Sequence, residues 1–342
     1  METKKVIYCF FFLLLVACKS NPGKNKEEKI DYLAQEAFED KAFIGNILVA
    51  DQGKVIYKKS FGKRDEQNNL QSEDTTKFLI GSISKPITAI LILRLADQGL
   101  LKLGDPIKKY FTNVDTQIGK INIHQLLTHT SGIGEILSEK EKKDIGSLIG
   151  QAKLQFEPGS DFEYSNSGYV ILKGIAEIVT RREYCELVKD EIFVPANMTS
   201  SGVARRSNLA HVAKGYKDAT QLELVNIDFP FENIDGAGSI YSTVEDLYKL
   251  DRALYTEVLL SNEMMEQMLK QHVPENYSYG WFVRERGGTW DVYWHRGNLP
   301  GFTSFISRRV QKDQFIILLS NAENRELSDI ENGISKILKA QD

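Results

Sequence analysis

The chain has 342 residues, of which 42% are hydrophobic and 26% are charged, and its formal net charge is −4. This composition is ordinary for a globular protein, and the length allows two packed subdomains. The near balance of charges, without a cluster of lysine and arginine flanked by aromatic residues, excludes the basic surface that nucleic-acid-binding proteins use.

The first segment has the pattern of a bacterial export signal. Two lysines precede an apolar run, Val6 to Ala17, which is too short to cross a bilayer but fits the core of a signal peptide. The run ends in Leu15-Val16-Ala17-Cys18, which resembles the lipobox at which cleavage exposes a cysteine for acylation. We therefore predict a signal peptide over residues 1–17, a lipid anchor on Cys18 and a location in the cell envelope. An ordinary signal peptide cut near Ala17 is the alternative.

A polar segment without apolar periodicity follows, and we predict a flexible tether over residues 18–29. The globular domain is then expected over residues 30–342. Cys185 is the only cysteine left in this domain, so an internal disulfide and a cysteine metal site are excluded. The five histidines are scattered along the chain, and the sequence predicts no metal.

From Ile44 onward the sequence predicts first strands and then helices. Asn46–Ala50 and Val55–Ser60 form a hairpin pattern around a Gly53 turn. Ser82–Gln98 is apolar on nearly all sides, which predicts a buried helix. Residues from about 105 to 270 have mostly helical patterns.

The last third returns to strands and ends in an amphipathic helix from Leu327 to Leu338. The predicted strands are Tyr279–Arg284, Val292–His295, Thr303–Ser307 and Phe315–Ser320, with turns at Gly287-Gly288 and Gly297-Asn298. Because both chain ends supply strands, we predict an α+β (α/β) fold. One antiparallel sheet built from both ends is flanked by helices, and a mostly helical lobe covers about 105–270.

A tetrapeptide at the start of the buried helix carries the nucleophile hypothesis. Ser82-Ile83-Ser84-Lys85 places a serine and a lysine on one helix face. The first helical turn leaves the backbone N–H of Ser82 free to bind an oxyanion. An apolar environment lowers the pKa of Lys85, so that its amine can take part in proton transfer. The same spacing at Ser60-Phe61-Gly62-Lys63 ends a strand, and we interpret it as chance.

A second pattern is Tyr164-Ser165-Asn166, which a Pro158-Gly159 turn delivers to the start of an apolar helix over Tyr169–Val179. A phenol of ordinary pKa is a poor base, but a neighbouring lysine cation favours its phenolate, which can exchange protons with the serine and the leaving group. A buried tyrosine before a helix-capping asparagine is the structural alternative, and the motif by itself favours that alternative.

A third pattern is His295-Arg296-Gly297, followed by Asn298. On a strand, His295 and Gly297 share one face and Arg296 takes the other. Gly297 would let a substrate backbone approach the strand closely. A histidine of ordinary pKa, about 6.5, loses its charge near neutrality, so any carboxylate binding by His295 should weaken between about pH 6 and 8. By itself, such a histidine is more often a structural residue.

In type and order, the three motifs resemble those of the class C β-lactamase and low-molecular-weight penicillin-binding family of serine hydrolases. The resemblance extends over roughly residues 30 to 340. Further segments similar to the hallmarks of that family are Phe78–Lys85, Leu126–Ile133 and Gly236–Thr243 with the following Glu245-Asp246-Leu247. The resemblance implies a β-lactamase/transpeptidase-like fold.

The resemblance also implies catalytic roles. Ser82 is the nucleophile, and Lys85 and Tyr164 are its proton-transfer partners. The backbone N–H groups of Ser82 and Asn298 form the oxyanion hole. The family's structural signatures here include His129, to which we assign no chemistry.

The substrate-binding residues that the resemblance implies are Asn166, His295 and Gly297. Asn166 also orients Lys85. Two departures argue against a β-lactamase. His295 stands where class C β-lactamases have lysine, and Arg296 stands where a small threonine or serine is frequent. The absence of a Ser-Asp-Asn segment and of a separate deacylating glutamate argues against the class A design.

The sequence therefore predicts a monomeric serine acyl-enzyme hydrolase without cofactor. Its substrates would be D-amino-acid peptides such as peptidoglycan stem peptides, cyclic amides such as β-lactams, or esters. A true class C-like β-lactamase and a non-catalytic envelope receptor for penicillin or peptidoglycan are the alternatives. The loops at about 134–155 and 199–235, which would form the pocket walls, leave the natural substrate open.

Overall fold

The computed structural model describes residues 23–112, 114–137, 144–285, 288, 291–323 and 327–340. The predicted signal peptide, the predicted anchor at Cys18 and Gly287 of a predicted turn lie outside these residues. None of the helices in the described ranges combines the length and the hydropathy that crossing a bilayer requires.

A six-stranded antiparallel sheet joins the two ends of the domain. Its strands, in spatial order, are β2 (Lys54–Phe61), β1 (Gly45–Asp51), β11 (Gln314–Ser320), β10 (Phe302–Arg309), β9 (Val292–Leu299) and β8 (Phe282–Arg284). The first strand lies directly against the last, with Ile47 opposite Leu318. The sheet built from both chain ends is therefore as predicted.

Helices cover both faces of this sheet, which explains why its central strands are apolar at successive positions. On one face, Ile47 and Leu318 pack against α1 (Lys26–Glu39) and α9 (Leu327–Lys339). On the other face, alternating residues such as Leu48 join the main core.

The main core surrounds α2 (Ser84–Asp97), in which most residues are buried because its sequence is apolar on nearly all sides. The other helices are α3 (Ile123–Leu127), α4 (Ile145–Gly150), α5 (Asn166–Thr180), α6 (Tyr184–Val188), α7 (Val244–Ala253) and α8 (Asn262–Leu269). Short strands also occur, namely β3 (Lys63–Asp65), β4 (Leu70–Gln71), β5 (Phe78–Leu79), β6 (Gly202–Val203) and β7 (Ile240–Ser242). The last three form a small sheet, so the central lobe is helical with a minor strand component.

The predicted boundaries at the starts of α1 and β8 are wrong. The tether predicted to residue 29 ends earlier, because the Asn25 side chain caps α1 by accepting a hydrogen bond from the backbone N–H of Glu28 at 2.8 Å. The strand predicted from Tyr279 begins at Phe282, since Gly280 has a φ of +81° and lies tightly against the start of α2.

The predicted turn at Gly297-Asn298 is also wrong. Strand β9 runs through both residues to Leu299, and Gly297 pairs with Ser304 of β10. The chain reverses at Pro300-Gly301, where Gly301 has a φ of +79°. This longer strand carries the third motif directly past the start of α2.

Candidate active site

Ser82 lies in a tight turn that two glycines allow to pack against β9. Residues Gly81–Ile83 form one turn of 3₁₀-helix before α2, and Gly81 has a φ of +50°. A Cβ on Gly297 would lie 1.9 Å from the carbonyl oxygen of Ile80, so only glycine fits there. The hydroxyl of Ser304 donates a hydrogen bond to that oxygen at 2.8 Å. The glycine at 297 is thus explained by the approach of the strand to the Ser82 turn, whereas the sequence suggested an approach of substrate.

The same packing brings the backbone of Asn298 to the Ser82 turn. A Cβ on Gly81 would lie 2.8 Å from the backbone nitrogen of Asn298, which places that nitrogen next to the residue preceding the serine. The predicted oxyanion donors, the N–H groups of Ser82 and Asn298, therefore come from adjacent backbone segments.

Lys85 is fully buried at 0% exposure one helical turn after Ser82. Its Nζ donates hydrogen bonds to Ser82 Oγ at 3.0 Å, to Asn166 Oδ1 at 2.7 Å and to the carbonyl oxygen of Ala237 at 3.0 Å. The amide and carbonyl oxygens can only accept, whereas the serine hydroxyl can also donate. A neutral Lys85 can therefore keep two of these bonds and accept the proton of Ser82 in the third.

Burial lowers the pKa of Lys85 to about 7, because desolvation disfavours the ammonium, while the negative charge of Glu135 acts in the opposite direction. The lysine amine thus titrates near neutral pH. Both the geometry and the pKa suit a group that takes a proton from a serine hydroxyl.

Tyr164 lies just before α5, and the Lys85 Nζ is 4.7 Å from the centroid of its ring. Burial raises the pKa of Tyr164 well above its ordinary value, and the hydroxyl of Ser82 partly opposes this increase. The phenolate favoured in the sequence analysis is therefore wrong, and Tyr164 stays a phenol. The Ser82 hydroxyl is near enough to affect the pKa of Tyr164, but the two hydroxyl groups do not reach hydrogen-bond geometry. Tyr164 Oη has no hydrogen-bond partner among the described residues.

Asn166 is the first residue of α5, and the side chain of Ser165 caps that helix by accepting from the backbone N–H of Gly168 at 3.2 Å. The cap fixes the start of the helix and with it the amide of Asn166. As predicted, that amide contacts Lys85.

His295 is buried at 1% exposure, and its ring centroid lies 6.1 Å from that of Tyr164. Its Nδ1 lies 2.8 Å from the carbonyl oxygen of Arg296, so Nδ1 carries the proton and Nε2 is an acceptor without a partner among the described residues. Burial, aided by the charge of Lys85, lowers the pKa of His295 to about 3. The expected loss of charge near neutrality is therefore wrong, because the imidazole is already neutral there.

His129 holds the chain on both sides of Tyr164, a role that sequence reasoning missed. Its carbonyl oxygen accepts a hydrogen bond from the backbone N–H of Glu163 at 3.0 Å, and its Nδ1 accepts one from that of Ser165 at 3.1 Å. Its Nε2 lies 3.1 Å from the hydroxyl of Tyr277, and its ring lies against Tyr164 with centroids 4.4 Å apart. The signal was present in the segment Leu126–Ile133, to which no chemistry was assigned.

The turn before β7 supplies a second missed group, the carbonyl oxygen of Ala237 that binds Lys85. Thr88 of α2 donates a hydrogen bond to the neighbouring carbonyl of Gly236 at 2.7 Å, which ties this turn to the helix that carries the lysine. The segment Gly236–Thr243 was singled out in the sequence, but no chemistry was assigned to it, because a backbone acceptor leaves no mark on residue type.

A cavity of about 840 Å³ opens beside this cluster. Asn166, Glu135 and Leu299 are among its lining residues. Within the described ranges, no group of three or more histidine, cysteine, aspartate or glutamate side chains is arranged to hold a metal ion.

The antiparallel sheet, the helical lobe and a serine–lysine–tyrosine cluster between them define a protein of the β-lactamase/transpeptidase-like fold class. The chain belongs to the beta-lactamase family, whose sequence model matches residues 33–340.

Individual relatives agree with this assignment. The chain is similar to penicillin-binding protein 4* of Bacillus subtilis, with 28% identity over 92% of this chain and 75% of the relative. A penicillin-binding protein of Bacillus halodurans has a similar structure, with a TM-score of 0.80, 25% identity, and coverage of 89% of this chain and 98% of that one. A D-amino acid amidase of Ochrobactrum anthropi shares the fold, with a TM-score of 0.75, 21% identity, and coverage of 91% and 98% of the two chains.

Proposed function

We propose that the protein is a serine acyl-enzyme hydrolase that acts on D-amino-acid peptides and amides or on related esters. The observation that carries the proposal is the contact between Lys85 Nζ and Ser82 Oγ at 3.0 Å, made by an amine whose pKa is lowered to about 7.

The proposed reaction begins when neutral Lys85 takes the proton of Ser82 and the serine oxygen attacks the substrate carbonyl. The backbone N–H groups of Ser82 and Asn298 stabilise the negative charge that develops on the carbonyl oxygen. Tyr164, kept as a phenol by burial, donates its proton to the leaving nitrogen or oxygen, and the proton on Lys85 restores the phenol. Water then hydrolyses the acyl-enzyme, with the same groups activating it.

The substrate class rests on the relatives and on the third motif. The name of the Bacillus subtilis relative and that of the Ochrobactrum anthropi structure refer to penicillin binding and to D-amino acid amides, respectively. His295, neutral at physiological pH, offers such substrates an unpaired acceptor and no cation for a β-lactam carboxylate.

A hydrolysis panel tests this proposal. With nitrocefin, a D-Ala-D-Ala peptide, a D-amino acid amide and p-nitrophenyl acetate, we expect turnover of the ester and of at least one D-amino-acid compound, with slower turnover of nitrocefin. Fastest turnover of nitrocefin would instead identify a β-lactamase. Stoichiometric acylation without turnover would identify a penicillin-binding receptor.

We also propose that the protein is a lipoprotein of the bacterial cell envelope. The support is the N-terminal segment up to Cys18. It contains an apolar run of signal-peptide length and ends in the lipobox-like tetrapeptide Leu15-Val16-Ala17-Cys18. Two or more acyl chains give stable membrane attachment, whereas one gives only marginal binding.

Replacing Cys18 with serine is expected to release the protein from membranes. Wild-type protein should partition into the detergent phase and carry acyl chains detectable by mass spectrometry, whereas the Cys18→Ser variant should lack both properties. Cys185→Ser is the matched control, because that cysteine lies in α6 and should not affect partitioning. A wild-type N-terminus without acylation would overturn the proposal.

A further inference from the structure

Among the described residues, the carboxylates of Glu135 and Asp228 line the cavity beside the catalytic cluster, and the proposed mechanism uses neither. Glu135 lines this cavity together with Asn166, whose amide binds Lys85. Its negative charge is near enough to Lys85 to act on the pKa of that amine. Glu135 therefore lines the same cavity as the residue whose amide binds Lys85.

The position of this carboxylate is fixed by the start of α5. The hydroxyl of Ser167, which is fully buried, donates a hydrogen bond to Glu135 Oε1 and accepts one from the backbone N–H of Ile136 at 2.8 Å. Ser167 directly follows Asn166, so the carboxylate and the lysine ligand are held by the same helical turn. A carboxylate held in this way meets a ligand with little further loss of side-chain entropy.

The other charged side chains in the described part of the cavity lining form an ion pair. Arg206 and Asp228 form an ion pair at 2.8 Å, which leaves Glu135 as the unbalanced charge among the described lining residues. Ile227, Phe229 and Leu299 add apolar wall. The cavity thus combines one negative charge with an apolar surface.

We propose that Glu135 binds the free ammonium group of an aminoacyl substrate, so that the enzyme prefers amides, peptides or esters of apolar amino acids with an unblocked α-amino group. The same charge disfavours substrates that bring a carboxylate or an N-acylated amine into this cavity. This inference rests on the proposed function, because it assumes that Ser82 attacks the carbonyl next to that amine.

A matched substrate pair tests the inference. D-Phenylalanine p-nitroanilide and its N-acetyl form share the leaving group and side chain, and near pH 7 only the first carries an ammonium. In the wild type we expect a higher kcat/KM for the free amine. In Glu135→Gln the ratio of the two kcat/KM values should fall about tenfold or more, the loss expected for a hydrogen bond between charged groups. The ratio is independent of the fraction of folded enzyme.

Glu157→Gln is the control, since Glu157 is exposed, lies outside the cavity lining and should leave the ratio unchanged. If the ratio of the two kcat/KM values is unchanged in Glu135→Gln, the inference is overturned. This holds even if the pH profiles for both substrates shift together, because Glu135 would then affect only the pKa of Lys85. If neither anilide is turned over but Ser82 still reacts with a fluorophosphonate, protection of Ser82 by D-phenylalanine amide and by its N-acetyl form gives the same comparison. Absence of both turnover and labelling would contradict the proposed function itself.

Discussion

Replacing Ser82 with alanine is expected to abolish covalent labelling by a fluorophosphonate or a fluorescent penicillin and to lower kcat by at least about 10³-fold. The reason is that, among the described residues, Ser82 has the only hydroxyl bound to the amine of Lys85. The other two acceptors of this amine are an amide oxygen and a carbonyl oxygen. Labelling followed by gel electrophoresis, and initial rates with p-nitrophenyl acetate, measure the two effects.

Ser60→Ala provides the matched control, because Ser60 also lies three residues before a lysine. Ser60 lies on β2, and the Nζ of Lys63 binds Glu66 at 2.9 Å, so this pair lacks the contact seen at Ser82. Both labelling and turnover should persist in that variant. Full labelling of the Ser82→Ala protein would show that the nucleophile is another residue.

Activity is expected to rise with pH through about 7 and then to level off, as Lys85 loses its proton. The sign follows from its role: below this pKa the amine is an ammonium that cannot accept the proton of Ser82, and above it the neutral amine can. A plot of kcat/KM against pH for a neutral ester measures the pKa in the free enzyme. Lys85→Met, which removes the amine but fills the buried space, should lower kcat about 10²- to 10⁴-fold and remove this rise.

Tyr164→Phe complements this variant, since it removes the proton donor and leaves the lysine in place. Its kcat should fall while the rise near pH 7 remains. Lys63→Met, which changes the lysine of the Ser60–Lys63 pair, should alter neither quantity. A wild-type profile that is flat from pH 6 to 9, or that falls through pH 7, would contradict the assignment of Lys85 as the base.

The sequence allowed the elements of the site to be predicted where local geometry decides them. Ser82 and Lys85 lie one helical turn apart, so their contact follows from helix periodicity alone. The sheet built from both ends also followed from pattern, since strand signals surround a helical middle. Resemblance then joined Tyr164 to this pair across about 80 residues, which no local rule could do.

The remaining features depend on packing between distant segments. His295 has the expected position, but its low pKa arises from burial that strand alternation does not reveal. Gly297 was singled out correctly, but its close neighbour is Ile80, because β9 extends further than its turn-like residues indicated. Residue types do not reveal the roles of the Ala237 carbonyl and the Glu135 side chain, and only the folded chain brings them near Lys85.

The contact between the Ser82 turn and β9 has a consequence for biogenesis. The proposed nucleophile comes from the first third of the chain, whereas β9, which carries the second proposed oxyanion donor, comes from the last sixth. Such long-range pairing forms slowly, because the closure of a large loop precedes any stabilising contact. A partly synthesised chain therefore carries Ser82 without the proposed oxyanion hole. Acyl-enzyme formation would begin only once the final strands have entered the sheet, so covalent labelling of Ser82 can serve as a time-resolved reporter of completed folding.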